Sequence, residues 1–123
     1  MAKMGFIGAG NMACAIIGGV LQAGLVAPQD ILITARTQQT RERVCARFGV
    51  RAATSNVELA RESACVLPCV KPVFLPGVLA EIHPAMAGKL AVSIAAGWDV
   101  PRLSGALPQD ARIVRVMPNT PLM

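Results

Sequence analysis

The sequence has no tyrosine, one tryptophan, three phenylalanines and a single histidine among its 123 residues. With so few aromatics to stack bases on, and no recognisable reader motif, a nucleic-acid-binding module is excluded. The four cysteines, Cys14, Cys45, Cys65 and Cys69, lack the spacing of a zinc knuckle, and none pairs with His83 in the manner of a zinc site, so no metal is expected. Reduced, buried thiols are the default reading. They point to a cytoplasmic protein, because a secreted domain of this size more often cross-links its cysteines. Acid is scarce as well. Twelve Lys and Arg face seven Asp and Glu, a formal net charge of +5, and Arg36, Arg41, Arg43, Arg47 and Arg51 share their stretch with one acid, Glu42. A local anion is the partner such a field selects.

What is present is aliphatic. Hydrophobic residues make up 54% of the chain and charged residues 15%, a mix that suits helices packed on parallel strands. The length allows one domain with its own core, over residues 1–123. No charge appears between Lys3 and Asp30, which is long enough to span a bilayer at about 20 apolar residues and also imitates a signal peptide. Gly5, Gly8, Gly10, Gly18, Gly19 and Gly24 oppose both readings, since each interior glycine costs a continuous helix about 1 kcal/mol. No membrane partner is expected.

Another reading uses the glycines. "KMGFIG" is a short apolar strand, "GAGNMA" a turn, and "MACAIIGGVLQAG" a helix whose Ile16, Ile17, Val20 and Leu21 form one stripe before Gly24 stops it. Gly8-Ala9-Gly10-Asn11-Met12-Ala13 has the form G-x-G-x-x-A. There Gly8 allows the tight turn, Gly10 lets a pyrophosphate approach the backbone, and Ala13 keeps helix and strand close. The unpaired N–H groups of the helix start then face the anion.

The remainder supplies the context. Strands at "DILITAR", "VRAAT", "ACVLPCVKP", "KLAVSIAAG" and "ARIVRVMP" alternate with helices at "QQTRERVCARFG", "NVELARES", "VFLPGVLAEIHP" and "VPRLSGAL". This alternation predicts an α/β fold, a Rossmann-type doubly wound parallel sheet of about six strands with helices on both faces. An NAD site usually ends its second strand on an acid that holds the ribose 2′-hydroxyl. Here Arg36, Thr37 and Arg41 stand in that region, and arginine with a hydroxyl suits a 2′-phosphate.

At this point "GFIGAGNMACAIIGGVL", "CVKP", "VSIAAG" and "RVMPNTP" together resemble, in order and spacing, the nucleotide-binding domain of the pyrroline-5-carboxylate reductase family. The similarity covers the whole chain. It implies reduction of the cyclic imine 1-pyrroline-5-carboxylate to proline by NADPH, with NADH as the alternative donor, in a cytoplasmic homo-oligomer. By the same resemblance Ile7, Gly8, Ala9, Gly10, Asn11 and Met12 would wrap the pyrophosphate. Thr34, Arg36 and Thr37 would meet the adenosine ribose and its phosphate, and Asn56 the adenosine side. Cys69, Val70, Lys71 and Pro72 would line the nicotinamide ribose. Ala95, Ala96 and Gly97 would lie beside the nicotinamide, and Met117, Pro118, Asn119 and Thr120 near the imine. By themselves these residues admit plainer roles, Asn56 as a helix N-cap, Lys71 as a strand-end charge and Pro118 as a chain stop.

Two departures accompany the resemblance. Pro68 falls inside an expected central strand, where a proline removes a ladder donor and implies a bulge or a local weakening. Family members also continue past "MPNTP" into a helical dimerisation domain that supplies the other wall of the substrate site. On that comparison this chain is the cofactor half, with no catalytic residue of its own. The alternatives are a stand-alone NADP-binding module and a domain of a related imine or hydroxyacid reductase.

Overall fold

The computed structural model describes residues 2–94 and 97–116. Six strands form one all-parallel sheet: β1 (Ala2–Ile7), β2 (Ile31–Thr34), β3 (Arg51–Ala52), β4 (Ser63–Pro68), β5 (Leu90–Ser93) and β6 (Arg112–Arg115). Their order is β3-β2-β1-β4-β5-β6. The chain therefore winds outward in one direction from β1 to β3 and in the other from β4 to β6. The reversal lies between β1 and β4, where an open α/β sheet leaves a crevice at its carboxyl ends. The expected α/β architecture, strand count and parallel sense are all found.

Consecutive residues of a strand point to opposite faces, and the core divides accordingly. Ile31 and Ile33 join Phe6 and Leu67 beneath α1 (Asn11–Gln22) and α2 (Gln38–Phe48), against Ala13, Ile17 and Val44. Leu32, Ile7 and Val66 face the other way. They meet Leu59 of α3 (Asn56–Glu62), Leu79 and Ile82 of α4 (Leu75–Ile82), and Leu103 of α5 (Val100–Gly105). Both faces are covered, which is why β1, β2 and β4 read as apolar runs instead of alternating ones.

Local signals set the helix ends. Thr37, Ser55 and Asp99 cap α2, α3 and α5 by accepting from Thr40 N, Glu58 N and Arg102 N, so the N-cap role that Asn56 could have filled belongs to Ser55. Gly24, at φ +70, ends α1 with two reverse bonds, Gly24 N to Leu21 O and Leu25 N to Val20 O. This is the Schellman pattern, which needs a left-handed residue and so favours glycine. Residues 4–21 are thus a strand, a turn and a helix of 12 residues, and no described helix is long and apolar enough to cross a membrane.

Two packing details were not visible in sequence. A Cβ on Gly5 would meet the Ser63 hydroxyl and sit 2.5 Å from Leu59 Cδ2, so the absent side chain is what lets α3 lie close on β1. The bulge expected at Pro68 is not found: Met4, Gly5, Phe6 and Ile7 pair with Cys65, Val66, Leu67 and Pro68 in unbroken register. Pro68 is the last residue of its strand. The next amide, Cys69 N, donates to Ile7 O at 2.7 Å, which turns the missing donor of Pro68 toward β5. The β4–β5 ladder stops at Val66 and Ala91 although β5 runs on to Ser93, so the missing donor shows as a shortened pairing on the β5 side, the local weakening expected of a strand proline.

Candidate functional site

The strand ends at the sheet reversal build one crevice. After β1, Gly8 takes φ +87, and an added Cβ would stand 3.0 Å from Val70 Cγ1 and 3.2 Å from Cys69 O. Both the conformation and the closeness of the β4 loop require glycine there. Gly8 N and Ala9 N donate to Thr34 O at 3.1 and 3.0 Å, and Gly10 N to Gly8 O at 2.8 Å. The turn is thereby fastened to the end of β2. Helix α1 follows with Gly10 as an N-cap that offers no side-chain acceptor and with no acid in the first turn. Its first bond runs from Cys14 N to Gly10 O, which leaves the amides of Asn11, Met12 and Ala13 without an intrahelical partner. The positive end of the macrodipole is open for an anion.

Gly10 differs from Gly8 in a decisive way. Its φ is −91, and a Cβ built there meets no atom within 4 Å. The space beside this backbone is open, so no side chain stands between the turn and an approaching phosphate group.

Two cavities open on this turn. One, of about 240 Å³, lies between Gly8, Ala9 and Gly10 on one side and Arg36, Thr40, Lys71 and Phe74 on the other, with Cys69 and Val70 between. The second, of about 310 Å³, is bounded by Ile7, Gly8, Thr34, Arg36, Asn56, Val70, Phe74 and Val78. No carboxylate lines either, and Arg36 and Lys71 are their charged residues, so the crevice attracts anions. A third cavity, about 460 Å³, runs between α1 and α2 past Asn11, Arg43 and Arg47.

Side-chain hydrogen bonds hold the β2 side of the crevice in shape. Thr34 Oγ1 donates to Asn56 Oδ1 at 2.7 Å, and Asn56 Nδ2 donates to Glu81 Oε1 at 2.9 Å, which ties β2, α3 and α4 together. Arg41 Nη1 reaches Ala35 O at 3.5 Å, placing a second guanidinium at the β2–α2 turn. Burial pushes the Cys69 thiol up to about 12. It is therefore neutral at physiological pH and acts as a small apolar wall, not a nucleophile.

The structure brings most of the expected residues together. Ile7, Gly8, Ala9, Gly10, Thr34, Arg36, Asn56, Cys69, Val70 and Lys71 line the two crevice cavities, and Asn11 lines the third. Met12 sits half-buried in the first turn of α1, and Pro72 starts the 3-10 turn Pro72–Phe74. Neither lines a crevice cavity. Thr37 is spent on capping α2, and Thr40, one turn on, takes its place in the lining. Gly97 has φ +79. Ala95, Ala96, Met117, Pro118, Asn119 and Thr120 lie outside the described residues. Sequence reasoning missed Phe74, whose signal was an aromatic left near the end of β4 in a chain with three phenylalanines.

Residues 3–97 match the family model described as NADP oxidoreductase coenzyme F420-dependent. The chain belongs to that family. It is 39% identical over 122 residues to a pyrroline-5-carboxylate reductase of Escherichia coli (strain K12), covering 98% of this chain and 45% of that protein. It is also 39% identical over 120 residues to pyrroline-5-carboxylate reductase 3 of Bos taurus, covering 97% of this chain and 39% of the relative. Among solved structures, the pyrroline-5-carboxylate reductase from Coxiella burnetii superposes with a TM-score of 0.89 at 32% identity, over 98% of this chain and 45% of the other. The Plasmodium falciparum pyrroline carboxylate reductase with NADP bound gives 0.81 at 29% identity, over 96% and 42%. The chain spans about half the length of the curated relatives it matches, 45% for the E. coli protein.

Proposed function

We propose that this chain is the NADPH-binding domain of a cytoplasmic, homo-oligomeric reductase that converts 1-pyrroline-5-carboxylate to proline. The observation that carries the reading is the Gly8–Gly10 turn. It presents an uncapped helix start to a carboxylate-free crevice containing Arg36 and Lys71, in a chain similar to reductases of that name.

The residues present fit NADPH. The amides of Asn11, Met12 and Ala13 would receive the pyrophosphate beside Gly10, where no side chain intrudes. Arg36, with Arg41 and Thr40 near it, would neutralise the 2′-phosphate, and Asn56, held by Glu81, would present its amide to the adenosine. Val70 and Lys71 at the end of β4 would flank the nicotinamide ribose. The cofactor, when bound, supplies a hydride to the imine carbon as the imine nitrogen takes a proton. The Cys69 thiol, kept protonated by burial, offers no base for that proton. The part of this chain is therefore orientation and exclusion of water. Ala95, Ala96 and Gly97 would admit the ring closely, and Met117, Pro118, Asn119 and Thr120 would stand near the imine.

A chimera tests this, with residues 1–123 in place of the corresponding segment of the E. coli relative. It should oxidise NADPH in a manner dependent on 1-pyrroline-5-carboxylate, while the 123 residues by themselves bind NADPH without reducing the imine. A chimera that folds and binds NADPH yet turns over no 1-pyrroline-5-carboxylate would sink the substrate assignment.

A further inference from the structure

Phe74 presents an anomaly: it is a large apolar side chain with 47% of its surface exposed, at the mouth of both crevice cavities. Its neighbour in sequence, Leu75, is fully buried and anchors the segment. Pro72 opens the turn, and Phe74 N donates to Lys71 O at 2.9 Å. The ring is therefore held out over the crevice by a rigid, anchored turn.

What the ring touches is Arg36, whose guanidinium carbon lies 5.3 Å from the ring centroid. The two side chains stand on opposite banks of the crevice, Arg36 after β2 and Phe74 after β4, with the end of β1 between them. No carboxylate among the described residues pairs with Arg36. The kind of partner matters. A carboxylate would occupy the N–H edges of the guanidinium and cancel its charge, whereas an aromatic face holds the cation through its flat side and leaves every N–H edge and the full charge available. An exposed arginine otherwise spreads over many rotamers, and that freedom must be given up when it grips a phosphate.

We infer that Phe74 is a specificity-determining positioning residue: it holds Arg36 ready for a ribose 2′-phosphate and so raises the preference for NADPH over NADH. The inference rests on the cofactor reading above and goes beyond it by assigning discrimination to a residue on the far bank. Arg41, held separately by Ala35 O, does not depend on Phe74, so loss of the ring weakens discrimination without abolishing it.

Calorimetric titration of this chain with NADPH and with NADH separates the outcomes. Phe74→Ala should lower the ratio of NADPH to NADH affinity roughly two- to five-fold, the worth of an exposed cation–π contact. Phe74→Trp should restore the parental ratio of affinities. In the Arg36→Ala background, Phe74→Ala should not move the ratio further. Phe74→Leu keeps apolar bulk without an aromatic face and should behave as Phe74→Ala, so it carries the test if the alanine variant fails to fold. Equal weakening of both cofactors, an unchanged ratio, or a ratio that still shifts without Arg36 would each overturn the inference. If the parent binds both cofactors and the Phe74 variants leave the ratio alone, the cofactor reading stands and only this inference falls. If the parent binds neither, the cofactor reading falls and takes the inference with it.

Discussion

Gly10→Val separates folding from ligand binding at this site. At Gly10 the backbone has φ −91, which any residue adopts, and a Cβ meets nothing within 4 Å. The N-cap makes no side-chain hydrogen bond that could be lost. Replacing an N-cap glycine with a β-branched residue then costs at most about 1 kcal/mol, a fall in melting temperature of roughly 3–6 °C for a domain of this size. Binding is affected far more. The valine methyls would occupy the space in which a pyrophosphate approaches the first-turn amides of α1. Losing two charge-assisted hydrogen bonds at about 1.5–3 kcal/mol each removes about 3–6 kcal/mol, or two to four orders of magnitude in affinity. Gly10→Ala should fall between parent and valine. Calorimetry with NADPH beside a thermal melt reads both quantities. A valine variant that melts near the parent and binds NADPH within about threefold of it would refute the placement of the pyrophosphate against Gly10. Gly8 cannot serve as this probe, because φ +87 and the contact with Val70 make its substitution a folding defect first.

Three further outcomes are expected. Gly5→Ala drives a methyl into Leu59 and Ser63 and should cost about 1–3 kcal/mol as overpacking, measured by urea unfolding, with NADPH affinity of the folded fraction unchanged; full stability would mean that α3 shifts freely on β1. Arg36→Ala should weaken NADPH by about 1.5–3 kcal/mol while NADH stays nearly as before, and equal losses would remove Arg36 from the 2′-phosphate. Cys69 is raised from 9.0 to about 12 by burial, so between those values the unfolded chain releases a proton that the folded chain keeps. Stability should therefore decline as pH rises above about 9, and Cys69→Ala should flatten that decline in unfolding measured from pH 8 to 11; an identical slope in parent and variant would show that Cys69 does not contribute to it.

The legible parts of the fold were those governed by local chemistry. The chain alternates apolar strands with helices, whose N-caps Thr37, Ser55 and Asp99 became plain in the structure, where Ser55 takes the cap that the sequence had offered to Asn56. The unbroken apolar run Ile31, Leu32 and Ile33 suits a strand buried on both sides. The glycine turn was readable as a strand–turn–helix because Gly8 and Gly10 stand at the spacing such a turn demands, and the structure places them beside the residues after β2. Thr37 also caps α2, its hydroxyl bonded to Thr40, a local role that its residue type serves equally well.

Residue type and spacing were enough to read the layer architecture, the opening strand–turn–helix and the cationic bias at the end of the second strand. These follow from periodicity and residue type over a few neighbours. Only the tertiary structure decided why Gly5 must lack a side chain, because the clash comes from α3 across the sheet. It also showed that Pro68 leaves the β1 register unbroken while the β5 ladder stops short of it. The same holds for Asn56, which lies between Thr34 and Glu81, and for Arg36, which rests on Phe74. Each of these contacts joins segments distant in the chain, and parallel strands with long crossovers leave no local pattern that records which of them will meet.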